Sequence, residues 1–144
     1  MRTKDFLGRL GHDRIARAIG AAETKTSGEI RVYVRHGEVN DAVAAAWKEF
    51  ERLGMTATRD RNGVLIFVAP RSQKFAVIGD EGIHRRCGDE YWTELIAKMR
   101  MDFQAENFTD ALVHAIGQAG DLLAKHFPRR PDDRNELPDT VEEG

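Results

Sequence analysis

The run Arg61-Asn62-Gly63-Val64-Leu65-Ile66-Phe67-Val68-Ala69-Pro70, followed closely by Phe75-Ala76-Val77-Ile78-Gly79-Asp80-Glu81-Gly82, constrains the fold more than any other part of this chain. It reads as two consecutive strands. The first opens after Asn-Gly and closes at a proline, which has no amide hydrogen to give to a ladder. Val64 to Val68 is apolar without alternation, which predicts a strand covered on both faces. Arg71 to Lys74 form a short connection, and Phe75 to Ile78 return antiparallel. The second strand runs into a turn carrying Asp80 and Glu81. Adjacent carboxylates at the mouth of a buried strand repel each other unless a cation sits between them.

Helical and strand periodicities surround this hairpin. Phe6, Leu10, Ile15, Ala18, Ile19 and Ala22 predict one helix over residues 5–23, ended by Ser27-Gly28. Ile30, Val32 and Val34 alternate with Arg31, Tyr33 and Arg35, the pattern of a half-buried strand. Asp41 caps a helix whose apolar face is Val43, Ala46, Trp47, Phe50 and Leu53, and Gly54 ends it. Residues 55–62 read as a polar loop. Gly88-Asp89 starts a helix bearing Trp92, Leu95, Ile96 and Met99, and both tryptophans are expected in the core. Asn107 or Thr109 starts a last helix bearing Leu112, Ile116, Ala119, Leu122 and Leu123.

The resulting order, α-β-α-β-β-α-α, carries geometric information. Strand 29–35, helix 41–54 and strand 63–69 form a β-α-β unit, so the two strands run parallel. The strand at 74–79 is antiparallel to its predecessor. The starts of the first two strands and the end of the third must then lie at one end of the sheet. That end collects Glu29, Asp60 of the 55–62 loop, Asp80 and Glu81, with Asp89 close behind. Hard cations are held by carboxylate and carbonyl oxygens drawn from several loops, so these five acids form a candidate Ca²⁺ or Mg²⁺ site. Simpler roles compete with it. Asp89 suits a helix N-cap, Asp60 sits between Arg59 and Arg61, and Glu81 can be solvated.

Composition excludes several classes. The 144 residues allow one domain, and a net charge of −2 with no basic patch argues against nucleic acid. No apolar run is long enough to span a bilayer and no signal peptide is visible, so the expected location is the cytoplasm, without direct membrane insertion. Cys87 is alone and cannot form an intramolecular disulfide. The five histidines lack the spacing of zinc ligands, and no Walker loop or Gly-x-Ser-x-Gly elbow is present. Residues 128–144 hold three of the four prolines and three arginines against six carboxylates, a net −3 that leaves +1 for the rest. They read as a disordered or loosely draped acidic tail after a domain over 5–127.

An ordered set of short segments resembles the TPM domain family. It comprises Thr26-Ser27-Gly28-Glu29-Ile30-Arg31-Val32, Phe50 with Leu53-Gly54-Met55, Arg61-Asn62-Gly63-Val64-Leu65-Ile66, Ile78-Gly79-Asp80-Glu81-Gly82-Ile83, Asp89 with Trp92, Asn107-Phe108 with Ala111-Leu112, and His126-Phe127-Pro128. The resemblance covers about residues 10–128. It implies an α/β fold, a three-layer sandwich with a small mixed β-sheet flanked by helices on both faces. Several members are similar in binding divalent cations, Ca²⁺ especially, at acidic loops. Acid phosphatase activity is attributed to plant members, and bacterial members look like membrane-anchored partners of LemA-type proteins. Matched by position, Asp60 falls just before the family's Asn-Gly-Val-Leu, while Asp80, Glu81 and Asp89 fall in its glycine turn and following helix start. Relatives at the membrane often carry a signal peptide and a spanning helix; here an N-terminal helix and an acidic tail stand in their place.

The leading expectation is therefore a divalent-cation-binding domain that acts through an unidentified protein partner. The alternative is a metal-assisted phosphatase, in which the ion polarises a phosphoryl oxygen and activates water. A third is an interaction module without an ion. Catalysis needs a nucleophile or base beside the acids, and His84 is the one natural candidate in the sequence.

Overall fold

The computed structural model describes residues 1–88, 90–129 and 141–144. Among these residues four strands form one mixed sheet in the order β3-β2-β1-β4, with β1 at Glu29–Val34, β2 at Gly63–Ala69, β3 at Lys74–Gly79 and β4 at Glu142–Glu143. β1 and β2 are parallel, β2 and β3 antiparallel, as the β-α-β-β order requires. β2 is buried along its whole length. Its central position explains the missing alternation, because helices cover both faces and either polar phase would strand a side chain from water.

The helices are α1 (Thr3–Gly8), α2 (His12–Glu23), α3 (Ala42–Arg52), α4 (Glu81–Cys87), α5 (Thr93–Gln104) and α6 (Phe108–His126). Ile30, Val32, Val34, Val64 and Ile66 face Ile15, Ile19, Leu95, Leu112 and Ile116 from α2, α5 and α6. Tyr33, Leu65, Phe67 and Ile78 face Ala42, Ala46 and Phe50 of α3, with Met55 behind. The protein is thus a three-layer α/β sandwich. Each fully buried Leu, Ile, Val or Phe contributes about 1.5–3 kcal/mol, so burial on both faces makes β2 a main source of stability.

Several local expectations give way. The single helix over 5–23 is two, because the Gly11 amide leaves the helical ladder and donates to Thr109 Oγ1 at 3.0 Å. The Asp80-Glu81 turn is the first turn of a helix, α4, with Asp80 as its N-cap. The next helix begins at Thr93, behind Trp92; Asp89, expected to start it, lies outside the described residues. On α3 the Asp41 cap is present, its carboxylate accepting from the Ala44 amide at 3.1 Å. The buried face of α3 is Ala42, Ala46, Glu49 and Phe50, which leaves Val43 53% exposed and Trp47 36% exposed, not in the core. Most of the expected disordered tail, 130–140, also lies outside the described residues. Of its last residues, Glu142 and Glu143 pair parallel with Tyr33 and Val34 as a short fourth strand.

Candidate functional site

The site is built where β2 begins and β3 ends. Hairpin register sets Val64 opposite Gly79, and the Asp80 amide donates to the Gly63 carbonyl at 3.0 Å. Glu29, at the head of β1, is the register partner of Gly63. One row across the sheet therefore runs from Glu29 through Gly63 to Asp80. Arg61, two residues before Gly63, is a non-glycine residue in the left-handed region, at φ 50°. Such a backbone costs an L-residue about 1 kcal/mol or more and persists where surrounding contacts over-determine it.

Those contacts are at hand. The guanidinium grips Asp80 side-on, Nε to Oδ2 at 2.7 Å and Nη2 to Oδ1 at 2.9 Å. Its Nη1 reaches Glu81 at 3.4 Å, and Arg85 approaches the same Glu81 oxygen at 3.5 Å. Asp80 is buried, and its Oδ1 also accepts from the Glu81 amide at 2.8 Å as the cap of α4. The cation that the adjacent carboxylates demand is thus Arg61. Its pKa is raised, first by the hydrogen bond to Asp80 and further by the charges of Asp80 and Glu81, against an opposing effect of burial.

Asp60 points elsewhere. Ser27 Oγ donates to its Oδ2 at 3.4 Å, and Asn62 Nδ2 donates to that serine at 3.1 Å. Asn62 is itself buried, its amide held by Thr58 Oγ1 at 3.3 Å. Gly82 closes the arrangement: its amide donates to the Arg61 carbonyl at 2.9 Å. A Cβ at that position would collide with the carbonyl oxygens of Asp60 and Arg61, the latter at 2.6 Å. A shallow polar pocket of 220 Å³ lies alongside, lined by Arg59, Asp60, Gly82, Arg85, Arg86 and Phe127. Arg86 is engaged within it, donating to the His126 carbonyl at 2.9 Å and lying over the Phe127 ring. His84 Nε2 pairs with the Tyr91 hydroxyl at 3.1 Å.

Of the five acids read from the sequence, Asp80 and Glu81 share Arg61, Asp60 belongs to the Ser27–Asn62 network, and Glu29 is buried at the head of β1. Asp89 lies outside the described residues. Among the described residues no three His, Cys, Asp or Glu side chains group so as to hold a metal ion. The residue that sequence reasoning missed as the partner of Asp80 is Arg61, named there only as a neighbour of Asp60. The signal was present: antiparallel register brings a residue just before β2 beside one just after β3.

The TPM domain family matches residues 2–122. This chain belongs to that family. Among solved structures, this TPM domain superposes with a TM-score of 0.86 on the BA42 protein from the psychrophilic bacterium Bizionia argentinensis, solved by NMR. The two are 38% identical over 94% of this chain and 96% of the other. No curated protein matches the chain. No helix among the described residues of the TPM domain is long and apolar enough to cross a membrane.

Proposed function

We propose that this TPM domain works as an interaction domain, acting through a protein partner, with its acidic strand ends held by an internal cation. The observation that carries the reading is the side-on clamp of Arg61 on Asp80. Both carboxylate oxygens are committed to the guanidinium, and one also caps α4. A carboxylate engaged in this way is a structural anchor, and His84 beside it is tied to Tyr91. The arrangement offers a rigid, charged surface at the sheet end.

Among the described residues, the carboxylates read as a Ca²⁺ or Mg²⁺ site are engaged by other partners, Asp80 and Glu81 by Arg61 and Asp60 by Ser27. A cation at Asp60, Asp80, Glu81 and Glu29 is a further proposal with a stated requirement: Arg61 must leave Asp80. Metal and guanidinium then compete for the same oxygens. Thermal melts of the full chain with millimolar Ca²⁺ or Mg²⁺, against chelator, test this directly. The clamp reading expects no shift in the wild type, and a stabilising shift abolished by Asp80→Asn would overturn it. Turnover of a generic aryl phosphate tests the phosphatase alternative. Activity lost on His84→Ala and on Asp80→Asn would make this an enzyme, against the interaction reading.

A further inference from the structure

The pocket beside the clamp is lined by more positive than negative charge. Arg59 and Asp60 come from the loop before β2, Gly82, Arg85 and Arg86 from α4, and Phe127 from just after α6. Among these lining residues three guanidiniums stand against one carboxylate, on a chain whose net charge is −2. Arg59, Arg85 and Arg86 are all exposed, the Arg85 side chain at 66%. Lys125 stands close by, since its charge and that of Arg86 both act on the Cys87 thiol. Positive charge is therefore concentrated at one end of a molecule that is acidic as a whole.

The arginines differ in how they are held. Arg86 donates to the His126 carbonyl at 2.9 Å and lies 4.8 Å from the centre of the Phe127 ring. A guanidinium stacked on a ring and tied to a carbonyl keeps its place before any ligand arrives. Arg85 approaches Glu81 at 3.5 Å, and Arg61 takes the same oxygen at 3.4 Å. Ion pairs between exposed side chains contribute little, so Arg85 can exchange that oxygen for another carboxylate. Shape decides the kind of ligand. Sites for small molecules enclose them in largely apolar walls, whereas this pocket is shallow and polar. A small anion would stay mostly in water there, but a segment of a larger body can reach several arginines at once. The guanidinium fork matches a carboxylate side-on, as Arg61 does on Asp80.

We propose that this pocket, around Arg59, Arg85 and Arg86, is where an acidic segment of a partner protein docks. Arg86 takes one carboxylate from its fixed position, and Arg85 trades Glu81 for another. Complementary charge speeds encounter and sets orientation more than it sets affinity, so the complex forms fast and weakens with salt. The acidic partner rests on the interaction reading. Metal melts and aryl phosphate turnover bear on that reading, whereas peptide binding bears on the partner's charge alone, so either can fail without the other.

The test is the fluorescence anisotropy of labelled oligoglutamate with the full chain at low salt, where surface charges are least screened. Oligoglutamate should bind and oligoglutamine should not. Arg59→Gln with Arg85→Gln should weaken binding about tenfold, the effect of losing two exposed ion pairs. Arg17→Gln with Arg100→Gln makes the same change in net charge at exposed positions of α2 and α5. That pair should leave binding within about twofold, because attraction falls off beyond a Debye length. All four positions are exposed, and melts that match the wild type confirm that both double variants fold. Absence of oligoglutamate binding overturns the proposal, and so does an equal loss in the two double variants, which would mean diffuse attraction. Inorganic phosphate that displaces the peptide at equal concentration would make the pocket a small-anion site. Tighter binding to vesicles rich in phosphatidylserine would make it a membrane contact. Either result overturns the acidic-partner reading.

Discussion

Two arginines hold carboxylates at two margins of one sheet, with the burial reversed. In the Arg61–Asp80 pair the acid side chain is 3% exposed and the arginine 37%; in Arg31–Glu142 the arginine is 7% exposed and the acid 31%. The buried member is the fixed receptor in each case. Asp80 sits at a strand end, caps a helix and holds a guanidinium from the loop before β2, which hairpin register brings beside it. Arg31 is fixed on β1 and draws its acid from a segment more than a hundred residues later, held by two paired residues. A buried acid that also organises backbone makes a rivet. A buried base met by an acid on a two-residue strand makes a looser joint.

The contrast can be broken at several points. The largest effect belongs to Gly82→Ala, which drives a methyl into the carbonyls of Asp60 and Arg61 and should cost about 3 kcal/mol. Thermal denaturation reads it, and wild-type stability would mean that α4 is not seated on that loop. Asp80→Ala comes next. It removes a cap worth about 1 kcal/mol and leaves Arg61 without its main partner, so the total should clearly exceed 1 kcal/mol. Glu142→Ala should cost less, about 1 kcal/mol, because water reaches Arg31 once β4 leaves. A larger loss at Glu142 than at Asp80 in denaturant titrations would reverse the comparison.

Hydrogen exchange sharpens it without mutation. The Asp80 and Gly82 amides, bonded to Gly63 and Arg61, should exchange far more slowly than those of His36 and Gly144, whose bonds depend on β4. The smallest effect is at Cys87, the last residue of the helix that Asp80 starts. Burial pushes its thiol up, while Arg86 and Lys125 pull it the other way. A raised thiol pKa lowers the thiolate fraction at neutral pH, so alkylation should be slower in the native protein than in urea and should rise with pH. Asp80→Ala should speed it, reporting a loosened α4.

What was legible in the sequence follows from range. β2 and the β-α-β-β order were readable because an apolar run of that length, bounded by Asn-Gly and Pro, admits few placements. Asp41 and Gly54 marked the ends of α3 because caps act within one turn. Asp80 is the same residue type in the same role, yet it read as a turn, since α4 is short and carries few apolar residues. Arg61 was misread because its partner lies nineteen residues away and is found only through register. Trp47 was placed in the core because helical periodicity locates a stripe to within a residue, and here the stripe rotates toward Ala42 and Glu49. β4 is two glutamates long, with no strand pattern to detect.

The two faces of the sheet are not covered equally. Among the described residues, five helices contribute buried residues to one side, whereas α3, with Met55, covers the other. Motions that detach a single element cost less than those that dismantle a bundle, and their free energies rank accordingly. α3 is therefore the natural first unit to lift in sub-global opening, baring Tyr33, Leu65 and Phe67 while the sheet stays backed by α2 and α6. Such an opening would be brief, and it would make the thin side the one where proteases and aggregation partners first find the chain.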